Sequence, residues 1–333
     1  MPSSEMRLAL VGCGAIAEWH WNAIRAAAPR VRVTACVDPS ADRAAALAEK
    51  TGGTPFPSLA AAVVAKAADA TAILVPHHLH EPIALEAFAA GLHVFLEKPM
   101  ATTLDACARI LAAAREAGTV FMLAENAQYW PGVVRAKALL DEGAIGGLVT
   151  ARAWSCTPPA GRFFEGAQPW RLSATAAGGG VAIDAGSHFL RPLRMWCGEL
   201  VDVVAVTAKQ DPAMEVESLC RALCRFESGL VASFDALLTT VPGTRVPRFQ
   251  LTGTTGEIVI DGAEVRLYDG AGGDGTVVGR SDYLASYQGE WQDFERAILD
   301  GTPLAASAGY GLGELRAALA MYLSAASRRW ELV

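Results

Sequence analysis

Along the first 125 residues the apolar positions fall into short, nearly unbroken runs separated by longer stretches of helical period. Arg7–Gly12, Val31–Val37, Ala70–Val75, His93–Leu96 and Val120–Ala124 read as strands. Ile16–Ala28, Ala41–Lys50, Ser58–Lys66, Glu81–Ala90 and Leu104–Ala117 read as helices between them. Near-continuous apolar strands alternating with helices imply a parallel sheet covered on both faces. Gly52, Gly91 and Gly118 stand where these helices stop, and glycine takes the left-handed cap conformation without strain.

The rhythm changes after about residue 147, where strand follows strand. From Leu148 onward, Val201–Ala208, Glu217–Phe226, Leu230–Leu238, Arg248–Thr252, Glu257–Ile260 and Glu264–Tyr268 carry the pattern, with a hairpin turn at Ser228-Gly229. This predicts a mostly antiparallel sheet. Helices are expected at Val181–Trp196, Tyr283–Leu299 and Gly309–Arg328, and Gly270–Gly275 reads as a loop.

The 333 residues are 52% apolar and 19% charged, which suits two well-buried domains. The net charge of −7 lacks the basic footprint that nucleic acid demands. No apolar run reaches the ~20 residues of a membrane span. The polar start Met1–Glu5 lacks the basic and apolar stretches of an export signal, so a cytoplasmic protein is expected. The seven cysteines, 13, 36, 107, 156, 197, 220 and 224, match no disulfide or zinc spacing and read as buried thiols of a reducing compartment.

Gly12-Cys13-Gly14-Ala15-Ile16-Ala17 follows the first strand and opens the first helix. In this G-x-G-x-x-A string the first glycine permits a tight turn and the second lets the backbone approach a pyrophosphate. The small third position lets helix and strand pack closely, and the helix start offers free N–H groups to the anion. Asp38, 21 residues beyond Ala17, ends the second strand, where a carboxylate binds a ribose diol. The fold class expected is therefore α/β: a doubly wound Rossmann domain over residues 1–125, then an α+β domain over 126–333, its last helix a candidate to pack back on the first. A carboxylate at Asp38 repels a 2′-phosphate and favours NAD. Arg43 lies near enough in sequence to meet such a phosphate, which leaves NADP open.

Glu97-Lys98-Pro99 ends a parallel strand, the edge at which open α/β sheets bind ligands. Gly178-Gly179-Gly180 leads a segment with Asp184 and His188 four apart, on one face if helical. A lysine, an acid and an imidazole are what alcohol oxidation requires: one takes the hydroxyl proton and the others orient and tune it. Pro76-His77-His78-Leu79-His80 invites a zinc reading, but no cysteine or carboxylate cluster accompanies it, and no metal is expected.

Taken together, these segments resemble the Gfo/Idh/MocA oxidoreductase family over nearly the whole chain. The likeness rests on the Gly12–Ala17 loop, His77-x-x-His80, Gly91-x-His93-Val94 leading to Glu97-Lys98-Pro99, Gly143-x-Ile145-Gly146, Pro169-Trp170-Arg171, the triple glycine, Asp184-x-x-x-His188 and Gly253-Thr254-x-Gly256-Glu257. It implies that Lys98 meets the substrate hydroxyl and the nicotinamide region, with His188 as general base or acid and Asp184 beside it. Gly12, Gly14, Ala15, Ile16, Asp38, Arg43, Pro76, His77, His80, Glu97, Lys98, Asn126, Trp170, Arg171 and Tyr287 would line the cofactor. Lys98, Asn126, Tyr129, Trp154, Phe163, Phe164, Asp184 and His188 would form the pocket for a sugar or cyclitol. Its aromatics suit a ring's apolar faces and suit a protein core equally well. The resemblance also implies an open second sheet that supports homodimers or homotetramers. Many members carry an acid three residues after the histidine. Here Arg191 stands there, reading a substrate anion if it faces the pocket and carrying no such role if it faces solvent. Two other activities fit the same motifs: a glycosidase using transient oxidation by NAD, and a non-catalytic dinucleotide-binding regulator.

Overall fold

The computed structural model describes residues 5–157, 169–209, 214–239, 246–270 and 273–333. The chain forms two compact units: residues up to Glu125 with Tyr287–Leu312, and Asn126–Ser286 with Gly313–Val333.

In the first unit six parallel strands lie in the order β3-β2-β1-β4-β5-β6: β1 (Met6–Val11), β2 (Val31–Val37), β3 (Thr54–Phe56), β4 (Ala70–Ile73), β5 (His93–Glu97) and β6 (Phe121–Ala124). Between them run α1 (Ala15–Ala27), α2 (Ala41–Thr51), α3 (Leu59–Val64), α4 (His80–Ala89) and α5 (Leu104–Ala117). Strand order reverses between β1 and β4, which opens a crevice at their carboxyl ends. At that place Gly12 has φ +95°, and a Cβ there would sit 2.4 Å from the Leu74 carbonyl oxygen, so only glycine fits. Ser40 and Thr103 cap α2 and α5 by accepting from Arg43 and Ala106 N–H, while Gly52 and Gly118 end the same helices in the left-handed conformation. Leu8, Leu10, Ile73, Phe95 and Leu96 are fully buried in the core. From the later helix Tyr283–Leu299, Trp291 stacks on Phe95 with centroids 4.3 Å apart.

The second unit holds α6 (Pro131–Asp141), β7 (Leu148–Thr157), α7 (Ala174–Ala177), α8 (Ser187–Cys197), β8 (Leu200–Ala208), β9 (Leu219–Phe226), β10 (Val231–Leu238), β11 (Phe249–Gly253), β12 (Glu257–Asp261), β13 (Glu264–Tyr268) and β14 (Thr276–Arg280). The start of α9 (Tyr283–Leu299), most of α10 (Leu312–Ser327) and β15 (Glu331–Leu332) complete it. Its nine strands lie in the order β14-β13-β12-β11-β7-β10-β9-β8-β15 and are antiparallel except where β7 meets β10. One face is covered. Phe189 of α8 stacks on Phe249 at 5.1 Å, and Met321 of α10 meets Cys220. The other face alternates with it and carries Arg152, Trp154, Arg221, Leu223 and Asp235.

The helix expected from Val181 begins instead at Ser187. Residues 181–186 form a widened turn, in which the Gly186 N–H reaches the Val181 carbonyl five residues back at 2.7 Å. A Cβ at Gly186 would lie 2.5 Å from the Ala182 carbonyl oxygen and 2.8 Å from the Phe234 ring, so the turn has room for glycine only. Asp184 therefore precedes the helix that carries His188. Among the described residues no helix is long and apolar enough to cross a membrane.

Candidate functional site

In the first unit Gly14 is the N-cap of α1 and supplies no side-chain cap, so the first N–H groups of the helix receive none from the cap position. A Cβ built on Gly14 meets nothing within 4 Å, leaving open space in front of those donors. Ala17 is fully buried, where a larger side chain would part helix from sheet. Asp38, 5% exposed, accepts from the Cys13 N–H at 3.0 Å, the Ser40 N–H at 2.8 Å and Arg43 Nη2 at 2.8 Å. Burial alone would raise this carboxyl. The Arg43 guanidinium and the two amides outweigh it and hold the group below the ordinary carboxylate range. Asp38 thus ties the glycine loop to β2 and engages Arg43. Burial pushes the Cys13 thiol up to about 12, so it is no nucleophile at neutral pH. An uncapped helix start, a bare glycine and an ionised carboxylate fit the pyrophosphate and ribose of a dinucleotide.

At the end of β5 the Glu97 side chain folds back, and its Oε2 accepts from the Lys98 N–H at 3.1 Å. Glu97 Oε1 lies 2.8 Å from Nε2 of His20, and Nδ1 of His20 accepts from the Trp291 indole at 3.0 Å. Tyr287, expected beside the cofactor, is 5% exposed and packs its ring edge-on to His20 at 5.2 Å. The three histidines after β4 separate in role. His78 is exposed and His77 is buried. His80 is fully buried, with Nδ1 2.7 Å from the Pro99 carbonyl and Nε2 2.9 Å from that of Val75. Burial draws the His80 pKa below the ordinary histidine value despite those two carbonyls. The ring lies between the segments that follow β4 and β5. Neither His20 nor Trp291 was an expected site residue. The available signal was a polar ring at the i+3 position of an otherwise apolar stripe, Ala17, His20 and Ile24.

In the second unit Glu217 organises the triple glycine. Its carboxylate accepts from the N–H groups of Gly180 at 2.8 Å and Ala182 at 3.0 Å and from the Tyr322 hydroxyl at 2.8 Å. Burial pushes the Glu217 carboxyl above its ordinary range, against the pull of these donors. Asp184 accepts from Arg171 Nε at 3.1 Å, and that guanidinium stacks over Trp170 at 4.2 Å. Trp170 and Arg171, expected at the cofactor, thus hold Asp184. His188 is half-buried in the first turn of α8, 6.5 Å from the Trp130 ring. Asn126 is 3% exposed. Its Nδ2 donates to Ser286 at 2.9 Å, and its Oδ1 has no partner among the described residues. Tyr129 is partly exposed. Trp154, expected in the pocket, lies on the sheet face away from α8, between the guanidinium groups of Arg152 and Arg221, because β7 alternates and its inward positions are Ala151, Ala153 and Ser155. Phe163 and Phe164 lie outside the described residues. Arg191 faces neither pocket nor solvent: 2% exposed, it forms a bidentate pair with Glu314 and donates to Gln128.

Residues 6–125 match the model of an oxidoreductase family with an NAD-binding Rossmann fold, and residues 133–259 match that of a GFO/IDH/MocA C-terminal domain. The 1,5-anhydro-D-fructose reductase of Ensifer adhaerens is 33% identical over 260 residues, 76% of this chain and 75% of that one. The chain belongs to the Gfo/Idh/MocA oxidoreductase family. A levoglucosan dehydrogenase of Pseudarthrobacter phenanthrenivorans is 28% identical over 217 residues, 57% of this chain and 54% of its own. A solved levoglucosan dehydrogenase, in complex with NADH and levoglucosan, superposes with a TM-score of 0.89 at 23% identity over 99% of both chains, which shows the shared fold. The resemblance and fold class expected from the sequence are thereby borne out, and NAD is the cofactor of this Gfo/Idh/MocA protein's Rossmann domain.

Proposed function

We propose that the protein interconverts a carbinol and a ketone carbon on a sugar, cyclitol or sugar derivative. The carrying observation is Lys98 at the carboxyl end of β5, the edge where open α/β sheets bind ligands, with its backbone held by Glu97. The names of the two curated relatives, a 1,5-anhydro-D-fructose reductase and a levoglucosan dehydrogenase, support a cyclic sugar derivative as substrate. NAD supplies the hydride acceptor or donor when bound. The open start of α1 and the bare Gly14 would receive its pyrophosphate, and Asp38 its ribose diol. Arg43, engaged by Asp38, is poorly placed to select a 2′-phosphate. Lys98 binds the substrate hydroxyl and carries its proton. His188 acts as general base in oxidation and general acid in reduction, while Arg171 keeps Asp184 fixed just ahead of that helix. The face of the second sheet that no described residue covers supports assembly of two or four copies.

The test is a panel of polyols, aldoses, uronates and anhydrosugars with NAD and NADP, following reduced cofactor by absorbance. Lys98→Ala and His188→Ala are expected to lower kcat by roughly 10²–10⁴-fold while NADH binding, read by fluorescence, persists. Full activity in either variant refutes its assigned role.

A further inference from the structure

We propose that His20 is a positioning residue for Lys98, acting through Glu97 as the middle of a buried relay that starts at Trp291. The inference rests on the reading of Lys98 as the group that handles the substrate proton.

The direction of every link follows from its chemistry. An indole N–H only donates, so Nδ1 of His20, 3.0 Å from Trp291 Nε1, presents its lone pair. Nε2 then carries the ring proton and donates to Glu97 Oε1 at 2.8 Å. The other carboxylate oxygen takes the Lys98 backbone N–H at 3.1 Å. Glu97 thus accepts from both sides, and the chain of donors runs from the core to the peptide that bears Lys98.

The relay is fixed where it begins. His20 is fully buried, edge-on to Phe95 at 5.2 Å, Tyr287 at 5.2 Å and Trp291 at 5.8 Å. Phe95 and Trp291 are themselves fully buried and stacked with an interplanar angle of 5°. Three rings set the imidazole plane. A cage of aromatic rings would be filled well by another apolar ring, and burying polar nitrogens in it is costly unless both are paired. Both are paired here, and the pairing leads to one place, the first peptide after β5. Glu97 is the least buried link, with 14% of its side chain exposed, where the strand end meets the ligand edge. A misplacement of about 1 Å at a reacting group is enough to cost about 10²-fold in rate. A carboxylate clamped from the core is a means of preventing it.

Two substitutions separate positioning from packing. His20→Phe keeps the ring and removes both nitrogens. His20→Gln offers one accepting and one donating end. His20→Phe is expected to lower kcat about 10–100-fold, with the KM for NAD within about twofold, and His20→Gln to restore most of the loss. The readout that needs no substrate is nuclear magnetic resonance. The Lys98 amide proton, bonded to a carboxylate, should move upfield in His20→Phe and return in His20→Gln, and the wild-type His20 ring should show protonated Nε2 with bare Nδ1. Should His20→Phe not fold, Trp291→Phe removes the first donor and is expected to move the same Lys98 resonance. An unmoved Lys98 amide in the folded variant, or the opposite ring tautomer, overturns the relay. If the amide moves as stated but the wild type turns over no polyol or sugar, the relay stands and the reading of the reaction fails. If the wild type is active and His20→Phe matches it in kcat, the relay fails and that reading survives.

Discussion

Asp38 and Glu217 are both carboxylates drawn out of water, yet their ionisation shifts in opposite directions. Asp38 has a guanidinium beside it, and that positive charge together with two backbone amides outweighs desolvation. Glu217 has only neutral donors, backbone amides and a phenol, and desolvation wins. The signs carry to stability. A carboxyl whose folded pKa is raised holds its proton more tightly in the native state, so the folded protein binds more protons than the unfolded one between the two pKa values. The contribution of Glu217 is therefore largest below its ordinary value of 4.5 and declines as pH rises through the folded value. Measured by thermal melts across that window, the stability of the wild type relative to Glu217→Gln is expected to fall with rising pH and then level off. A gap that widens with pH would mean the amides and Tyr322 dominate instead. Arg191 makes the complementary point. Its charge is matched by Glu314 inside the second unit, so an arginine that looked available to a substrate anion is fully committed to the fold.

At the scale of elements, the parallel strands were legible because each is buried on both faces. The four residues of β4 and of β6 are all buried, and an unbroken apolar run is the direct trace of that environment. The glycine loop was legible because its demands are local: a positive φ at Gly12 and a bare backbone at Gly14. The start of α8 was not, since the turn before it is held by Glu217 on a distant segment and lies close against Phe234. Nor was the relay behind Lys98, whose first bond joins residues 271 apart in sequence. β3 and β15, of three and two residues, are too short to print a period. Two glycines now make opposite predictions. Gly14→Ala adds a methyl into open space at an ordinary φ of −85°, so the melting temperature should hold while NAD affinity drops, because the methyl stands where the pyrophosphate would approach. Gly180→Ala would put a Cβ 1.9 Å from the Glu217 carbonyl oxygen, and an overpacked turn costs about 1–3 kcal/mol. Denaturant melts and NADH fluorescence titrations on both variants distinguish the two. Equal losses of stability would show that Gly14 is a structural glycine only.

At the scale of the whole molecule, among the described residues the nine-stranded sheet is covered on one face and uncovered on the other. The uncovered face follows from strand alternation. Cys220, Ala222, Cys224 and Phe226 of β9 point to the buried side, so Arg221, Leu223 and Arg225 point away. Register then brings Val204 beside Leu223, Val206 beside Arg221, and Asp235 between Arg221 and Trp154. Val206 is 61% exposed, Leu223 47% and Val231 39%, among charges already paired within the face, as Arg221 is with Asp235. Exposed apolar side chains beside the Arg221–Asp235 and Arg225–Asp202 pairs suit a partner of the same kind. Self-association through this face is expected to give a particle of two or four times 34.9 kDa by light scattering. Leu223→Glu places a carboxylate in the middle of that surface, where its self-symmetric partner brings another, and like charges facing each other oppose docking. That variant should shift toward the mass of one chain, with its melting curve little changed from that of a dissociated wild type. A wild type that runs as a single chain at micromolar concentration, or a Leu223→Glu protein of unaltered mass, would show that these strands meet water rather than a second copy.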